Sequence, residues 1–299
     1  MSNPRMKRLR LFACLFSLSV FAGLCSNAFG ETSRADYLAL GADQLYFEVS
    51  GQGFPLLLVS GGSSMDLRQW DRIAPALARS YRVIRFDPRG IGKSDNPTVK
   101  YSDAADLNSL LDHLGLDRIA LIGLSAAGSI VLEYAIQYPD RVTGLVAAAP
   151  FIPGFEFSDE MLARLDRFNQ AAELGREPFL DRMFADPHFI PAPLDRSVRT
   201  SARENMANNF DKGAGFDPSL PVPLTPPLIE QLSEIRSPVL LLAGELDHAE
   251  VLRRNKYLLE KIALAEEKII PAAGHNGQLE NPNAFLGAMT AFLHAITQQ

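Results

Sequence analysis

Short, almost wholly apolar runs recur along this chain, and segments with helical spacing of their apolar residues separate them. The runs are "PLLLVS" (55–60), "YRVIRF" (81–86), "RIALIG" (118–123), "RVTGLVAAAP" (141–150), "PVLLLAG" (238–244) and "EKIIPAAG" (267–274). A run with no polar alternation suits a strand buried on both faces. Helical patterns fall at 66–79, 103–114, 126–138, 249–262 and 282–296. Strands that alternate with helices pair in parallel through right-handed crossovers. The expected architecture is therefore α/β, with a mostly parallel, doubly wound sheet. The runs within residues 37–62 are split by Gly41 and by Gly51-Gln52-Gly53, which reads as hairpin punctuation.

The rhythm breaks between Phe151 and Arg236. No buried strand is legible there, helical patterns fall near 158–174, 176–184 and 197–209, and prolines crowd 187–193 and 218–227. Residues 151–236 are expected to form a helical cap inserted into a core of residues 31–150 and 237–299. A chain of 299 residues suits one large α/β domain with such an insertion. The phenylalanines and methionines from Phe151 to Phe189 are candidates to line a pocket. About two to four of them are expected there, and the rest to pack the cap onto the core.

Residues 1–30 have the pattern of a secretory signal. Arg5, Lys7, Arg8 and Arg10 precede the apolar "LFACLFSLSVFAGLC", and Ala28 and Gly30 offer the small residues before Glu31. The run is shorter than the ~20 residues of a membrane span, so no stable membrane insertion is expected. A retained anchor and a lipid attached at Cys25 are the competing readings. Cleavage would take the net charge from -6 to -10 and remove both cysteines, Cys14 and Cys25. The expected location is periplasmic or extracellular. An acidic chain without a dense Lys/Arg block argues against a nucleic-acid partner, and the loss of both thiols excludes cysteine nucleophiles. Oligomeric state is not legible.

The chemistry concentrates at strand ends. "GLSAAG" places Ser125 where a strand feeds a helix, walled by small residues. That context holds a serine out at a sharp turn, although a plain helix-capping serine gives the same local pattern. A serine needs a base. Among five histidines, His275 lies in a Gly-containing loop after the last strand, the edge where sites of parallel sheets form. The base needs an acid to hold its tautomer. Asp247 lies three residues past Gly244, with Glu245 as rival. An oxyanion needs donors, and the N–H groups of Gly62 and Ala126 are placed to supply them.

The pieces "SGG" (60–62), "FDPRGIGKSD" (86–95), "GLSAAG" (123–128), "LAGELD" (242–247) and "AGH" (273–275) together resemble the α/β-hydrolase fold family. The likeness is to bacterial members with a cap after the sixth strand. The resemblance implies a catalytic set of Ser125, Asp247 and His275, with Gly62 and Ala126 as the oxyanion hole. Two departures stand out: Ser60 replaces a frequent histidine, and Ala127 replaces the last glycine of G-x-S-x-G. Asp87 and Arg89 read as turn-stabilising. The implied activity is a serine hydrolase for an ester, lactone or related acyl bond of a small molecule. It needs no metal and no organic cofactor. A C–C bond hydrolase or enol-lactonase of aromatic degradation, a haloperoxidase-like perhydrolase and a ligand-binding protein without catalysis are the alternatives. A serine at position 125 speaks against the haloalkane dehalogenase and epoxide hydrolase branches, which use a carboxylate.

Overall fold

The computed structural model describes residues 33–61, 64–191, 193–213 and 215–297. The signal expected over residues 1–30 and Gly62, the expected oxyanion donor, lie outside the described residues. The strands are β1 (Arg34–Leu40), β2 (Asp43–Ser50), β3 (Phe54–Val59), β4 (Tyr81–Phe86), β5 (Ile119–Leu124), β6 (Val142–Ala148), β7 (Val239–Gly244) and β8 (Ala265–Ile270). They form one sheet in the order β1-β2-β4-β3-β5-β6-β7-β8. From β4 to β8 all neighbours are parallel, while β1–β2 and β2–β4 are antiparallel. Strands β5 and β7 are buried at every position, whereas edge strand β8, "AEEKII", is largely exposed. Charges on an edge strand discourage further pairing.

One hairpin expected from sequence is absent. Gly41 turns β1 into β2 at φ 68°, but Gly51-Gln52-Gly53 does not pair β2 with β3, because β4 lies between them. The glycines there serve a close approach instead. A Cβ at Gly51 would stand 2.3 Å from the carbonyl oxygen of Ala78.

The helices are α1 (Ala74–Leu77), α2 (Asp103–His113), α3 (Ala126–Gln137), α4 (Asp159–Glu173), α5 (Arg176–Phe184), α6 (Arg196–Gly213), α7 (Leu228–Gln231), α8 (Ala249–Lys261), α9 (Gly277–Glu280) and α10 (Pro282–Thr297). The helix expected over 66–79 is broken. Leu67–Trp70 is a 3-10 turn capped by the Asp66 carboxylate, and α1 begins afresh beside Pro75, whose ring cannot donate a backbone hydrogen bond. Among the described residues no helix is long and apolar enough to cross a membrane.

Alternate strand residues feed opposite faces of the sheet. Leu57, Leu121, Leu145 and Leu241 pack with Leu107 and Leu110 of α2 and Val131 of α3. Leu56, Ile122, Val146 and Leu240 pack with Trp70, Ile73 and, from α10, Phe285 and Met289. Residues 151–236 leave the sheet after β6 and return at β7, and they carry α4–α7. A third apolar cluster joins Leu180, Phe189, Ala202 and Met206 of this insert to Met65 and Leu279 of the core. Polar contacts reinforce it. Asn205 Oδ1 accepts from Asp66 N at 2.9 Å, Asn209 Oδ1 accepts from Gly92 N at 2.7 Å, and Lys212 Nζ donates to Gly92 O at 2.9 Å.

The turn after β4 is held by buried charge. Asp87 accepts from Ser60 Oγ (2.6 Å), Leu67 N (2.8 Å) and Lys93 N (3.2 Å). Arg89 spans Asp43 and, at 2.6 Å, Asp106. Desolvation pushes the Asp87 carboxyl up to about 6. It pushes Asp103 up to about 7, helped by Asp106 and Glu133 and opposed by Arg89. Such groups hold protons in the folded state that the unfolded chain has released. Their stabilisation is therefore present below the ordinary carboxylate range and is lost as pH rises through the raised values. Asp103→Asn should accordingly gain on the wild type as pH rises from about 4 to about 7 and hold that gain above. Urea midpoints across this range check it, and a pH-independent difference would show that the folded state does not hold the Asp103 proton.

Candidate active site

Ser125 sits between β5 and α3 at φ 56°, ψ -117°. A side chain other than glycine in that region carries about 1–3 kcal/mol of strain. The surroundings impose it. Ser125 N donates to Ala148 O at 2.8 Å, and Ser125 O accepts from Gly128 N and Phe151 N, both at 2.9 Å. The flanking glycines are obligatory. A Cβ at Gly123 would stand 2.3 Å from Ala127 O, and one at Gly128 would stand 2.7 Å from Pro150 Cβ. Ala127 is fully buried and is not among the residues at positive φ, so alanine fits where the usual pattern has glycine.

Asp247 and His275 come from the loops after β7 and β8. His275 Nδ1 lies 2.9 Å from Asp247 Oδ2. The other carboxylate oxygen accepts from His248 N at 2.7 Å. A carboxylate at Nδ1 fixes the proton there and leaves Nε2 as the basic nitrogen. The Asp247 side chain is 1% exposed and that of His275 17%. Glu245 turns away, accepting from Ala272 N at 2.9 Å on the surface. Nor does His248 compete as a base. Its Nδ1 accepts from Glu250 N at 3.1 Å. Desolvation, aided by Arg164 and His188, lowers its affinity for protons.

Ser125, Asp247 and His275 line one cavity of about 180 Å³. Among the described residues no hydrogen bond joins Ser125 Oγ to His275. Such contacts are often loose before substrate binds and tighten in the complex. Phe151, Phe157, Met161, Phe168, Met183 and Phe189 of the insert wall this cavity, more than the few expected from sequence. Phe155 instead packs against the core, and Phe184 lies against Phe189. On the other side of Ser125, Ala126 opens α3. The N–H groups of a helix's first turn have no partner within the helix. Ala126 faces a second cavity of about 580 Å³, shared with Gly61, Asp103, Ile130, Phe179, Phe210 and Phe216.

Several residues at the site escaped the sequence reading. Glu280 accepts from Gly274 N (3.1 Å) and Asn276 N (3.2 Å), bracing the His275 loop from both sides. His188 O accepts from His275 N at 2.9 Å, and Phe189 O accepts from Asn276 Nδ2 at 3.0 Å, so the insert also grips that loop. Arg254 on α8 reaches the smaller cavity while only 3% exposed. Its signal was present: it stands three residues after Val251 and four before Leu258, on the buried stripe of the helix. Asp103, the first residue of α2, gave no comparable sign.

The profile of the alpha/beta hydrolase fold family matches residues 55–282. A 2-hydroxy-6-oxononadienedioate/2-hydroxy-6-oxononatrienedioate hydrolase of Pseudomonas putida is 28% identical over 271 residues, spanning 84% of this chain and 91% of that protein. Among solved structures, a thermophilic esterase from Thermogutta terrifontis superposes with a TM-score of 0.70 at 25% identity, covering 88% of this chain and 99% of the esterase. An N-acyl homoserine lactone degrading enzyme superposes with a TM-score of 0.67 at 25% identity, covering 86% of this chain and all of that one. With its profile match, its sheet order and its hydrolase relatives, the chain belongs to the alpha/beta hydrolase fold family and is a hydrolase.

Proposed function

We propose that the chain is a serine hydrolase that cleaves an ester, a lactone or a related acyl bond. The observation that carries this reading is a serine held at φ 56° on the same cavity as a carboxylate-oriented histidine. His275 Nε2 takes the Ser125 proton as Oγ attacks the acyl carbon. The N–H groups of Ala126 and Gly62 receive the negative charge that moves onto the carbonyl oxygen. His275 then gives the proton to the departing alkoxide, leaving an acyl-serine. Water repeats the cycle and releases the acid. Residues 151–236 act as the cap: the insert walls both cavities beside Ser125 and grips the histidine loop. The lactone-degrading and esterase structures support this acyl reading. C–C bond hydrolysis is the second reading, favoured by the named activity of the Pseudomonas putida relative. The basic and apolar pattern of residues 1–30 supports export.

Ser125→Ala should lower the hydrolysis of aryl esters by about 10⁴-fold or more with the fold intact, and should abolish labelling by a fluorophosphonate. Near-normal turnover in that variant would refute the nucleophile. Ser125→Gly should lose activity equally yet gain about 1 kcal/mol, raising the melting temperature by roughly 2–4 °C, because glycine accepts the left-handed backbone. A drop in melting temperature would show that the turn is not strained. Mass spectrometry of the exported protein should find Glu31, or Phe29, at the N-terminus; Met1 or Ser2 on soluble exported protein would refute cleavage.

A further inference from the structure

The 180 Å³ cavity holds a cation with no assigned task. Arg254 is 3% exposed, its Nε has no hydrogen-bond partner, and no ion pair or ring contact joins its guanidinium to another described residue. The neighbouring charges are already matched. Arg164, in the same cavity, places Nε and Nη2 on the two oxygens of Asp186, each at 2.9 Å. Glu250 is engaged by Arg253. Both oxygens of Asp247 are taken, one by His275 and one by His248 N. Burial pulls the Arg254 guanidinium down to about 10, while the charges of Asp247 and Glu250 oppose that fall, so the group stays charged at neutral pH.

A buried guanidinium whose donors meet no acceptor is costly, and its planar fork matches a carboxylate. The larger cavity has the opposite character. Asp103 lies in its wall, and Arg89 there is shared between Asp43 and Asp106. The Arg89 cation of the larger cavity is thus already matched, whereas Arg254 offers an anion a partner on the His275 side. We propose that Arg254 is a substrate-binding residue that takes a carboxylate on the leaving-group part of the substrate, so that acyl compounds with an anionic leaving group are preferred. The His275 side is where the leaving atom is protonated, and the walls of Phe151, Phe157, Phe168 and Phe189 suit an aromatic or unsaturated body between that atom and the carboxylate. This inference rests on the reading of Ser125 as nucleophile.

The test compares 4-acetoxybenzoate with its neutral methyl ester, and measures inhibition of phenyl acetate hydrolysis by benzoate against benzamide. The wild type should favour the anionic ester by about tenfold or more in kcat/KM, and benzoate should inhibit at concentrations about tenfold below those of benzamide. Arg254→Gln should raise KM for the anionic ester by about tenfold and leave the neutral ester within about threefold, and Arg254→Lys should recover part of the loss. An equal fall in kcat for both esters would mean that Arg254 only balances the charge of Asp247, and would overturn the proposal. Equal inhibition by benzoate and benzamide in the wild type would overturn it whether or not the variants fold. Fluorophosphonate labelling separates the two readings. Labelling without anion preference refutes the role of Arg254 alone, and its absence refutes the Ser125 mechanism beneath it.

Discussion

The left-handed backbone of Ser125 is the constraint on which the site depends. It exists because β5 ends flush with β6, where Ala148 O captures Ser125 N, and because α3 starts at once. Only then does the side chain leave the sheet edge instead of following the strand. The carbonyl of Ser125 itself, which accepts from Gly128 N, also accepts from Phe151 N, so the first residue of the insert is tied to the residue it flanks. Sheet order supplies the rest. β7 and β8 lie on the β6 side of β5, and their terminal loops bring Asp247 and His275 to the same edge.

What could be read in advance follows from how local each signal is. β5 and β7 are buried on both faces, so apolar content alone marks them. Ser125, Asp247 and His275 each sit within a few residues of a strand end, and their order along the chain carries the meeting across the sheet. Non-local facts were illegible. Gly51 and Gly53 look like a hairpin turn whichever strand pairs with β2, and only the packing of Gly51 on the Ala78 and Tyr81 carbonyls tells the difference. Pro75 was visible, but the 3-10 turn before it depends on the Asp66 cap and on Asn205 from the distant insert. Asp103 and Arg254 acquire meaning only from the cavities they face.

The insert is joined to the core by donors and acceptors that neither part satisfies alone. Asp66 N and Gly92 N find their acceptors on Asn205 and Asn209, and Asn276 Nδ2 finds Phe189 O. Removing residues 151–236 would therefore leave polar groups unpaired and the His275 loop ungripped. In the proposed mechanism specificity and catalysis are coupled at this joint, because the segment that walls the cavities also grips the loop of His275.

That coupling extends to charge. Asp247 is buried, and in the proposed mechanism it stabilises the imidazolium that forms on His275 as Ser125 is deprotonated. Arg254 lines the same cavity as His275, and Asp247 is close enough to favour its charge, so in the proposed mechanism its field opposes that of Asp247. A cation beside a forming imidazolium raises the cost of that step in a poorly solvated site. A substrate carboxylate paired with Arg254 cancels the opposing field without touching the Asp247–His275 bond. The anion would then contribute twice, once by anchoring the substrate and once by relieving the base. Only the second contribution changes between ground state and transition state, so only it raises kcat, whereas the first lowers KM.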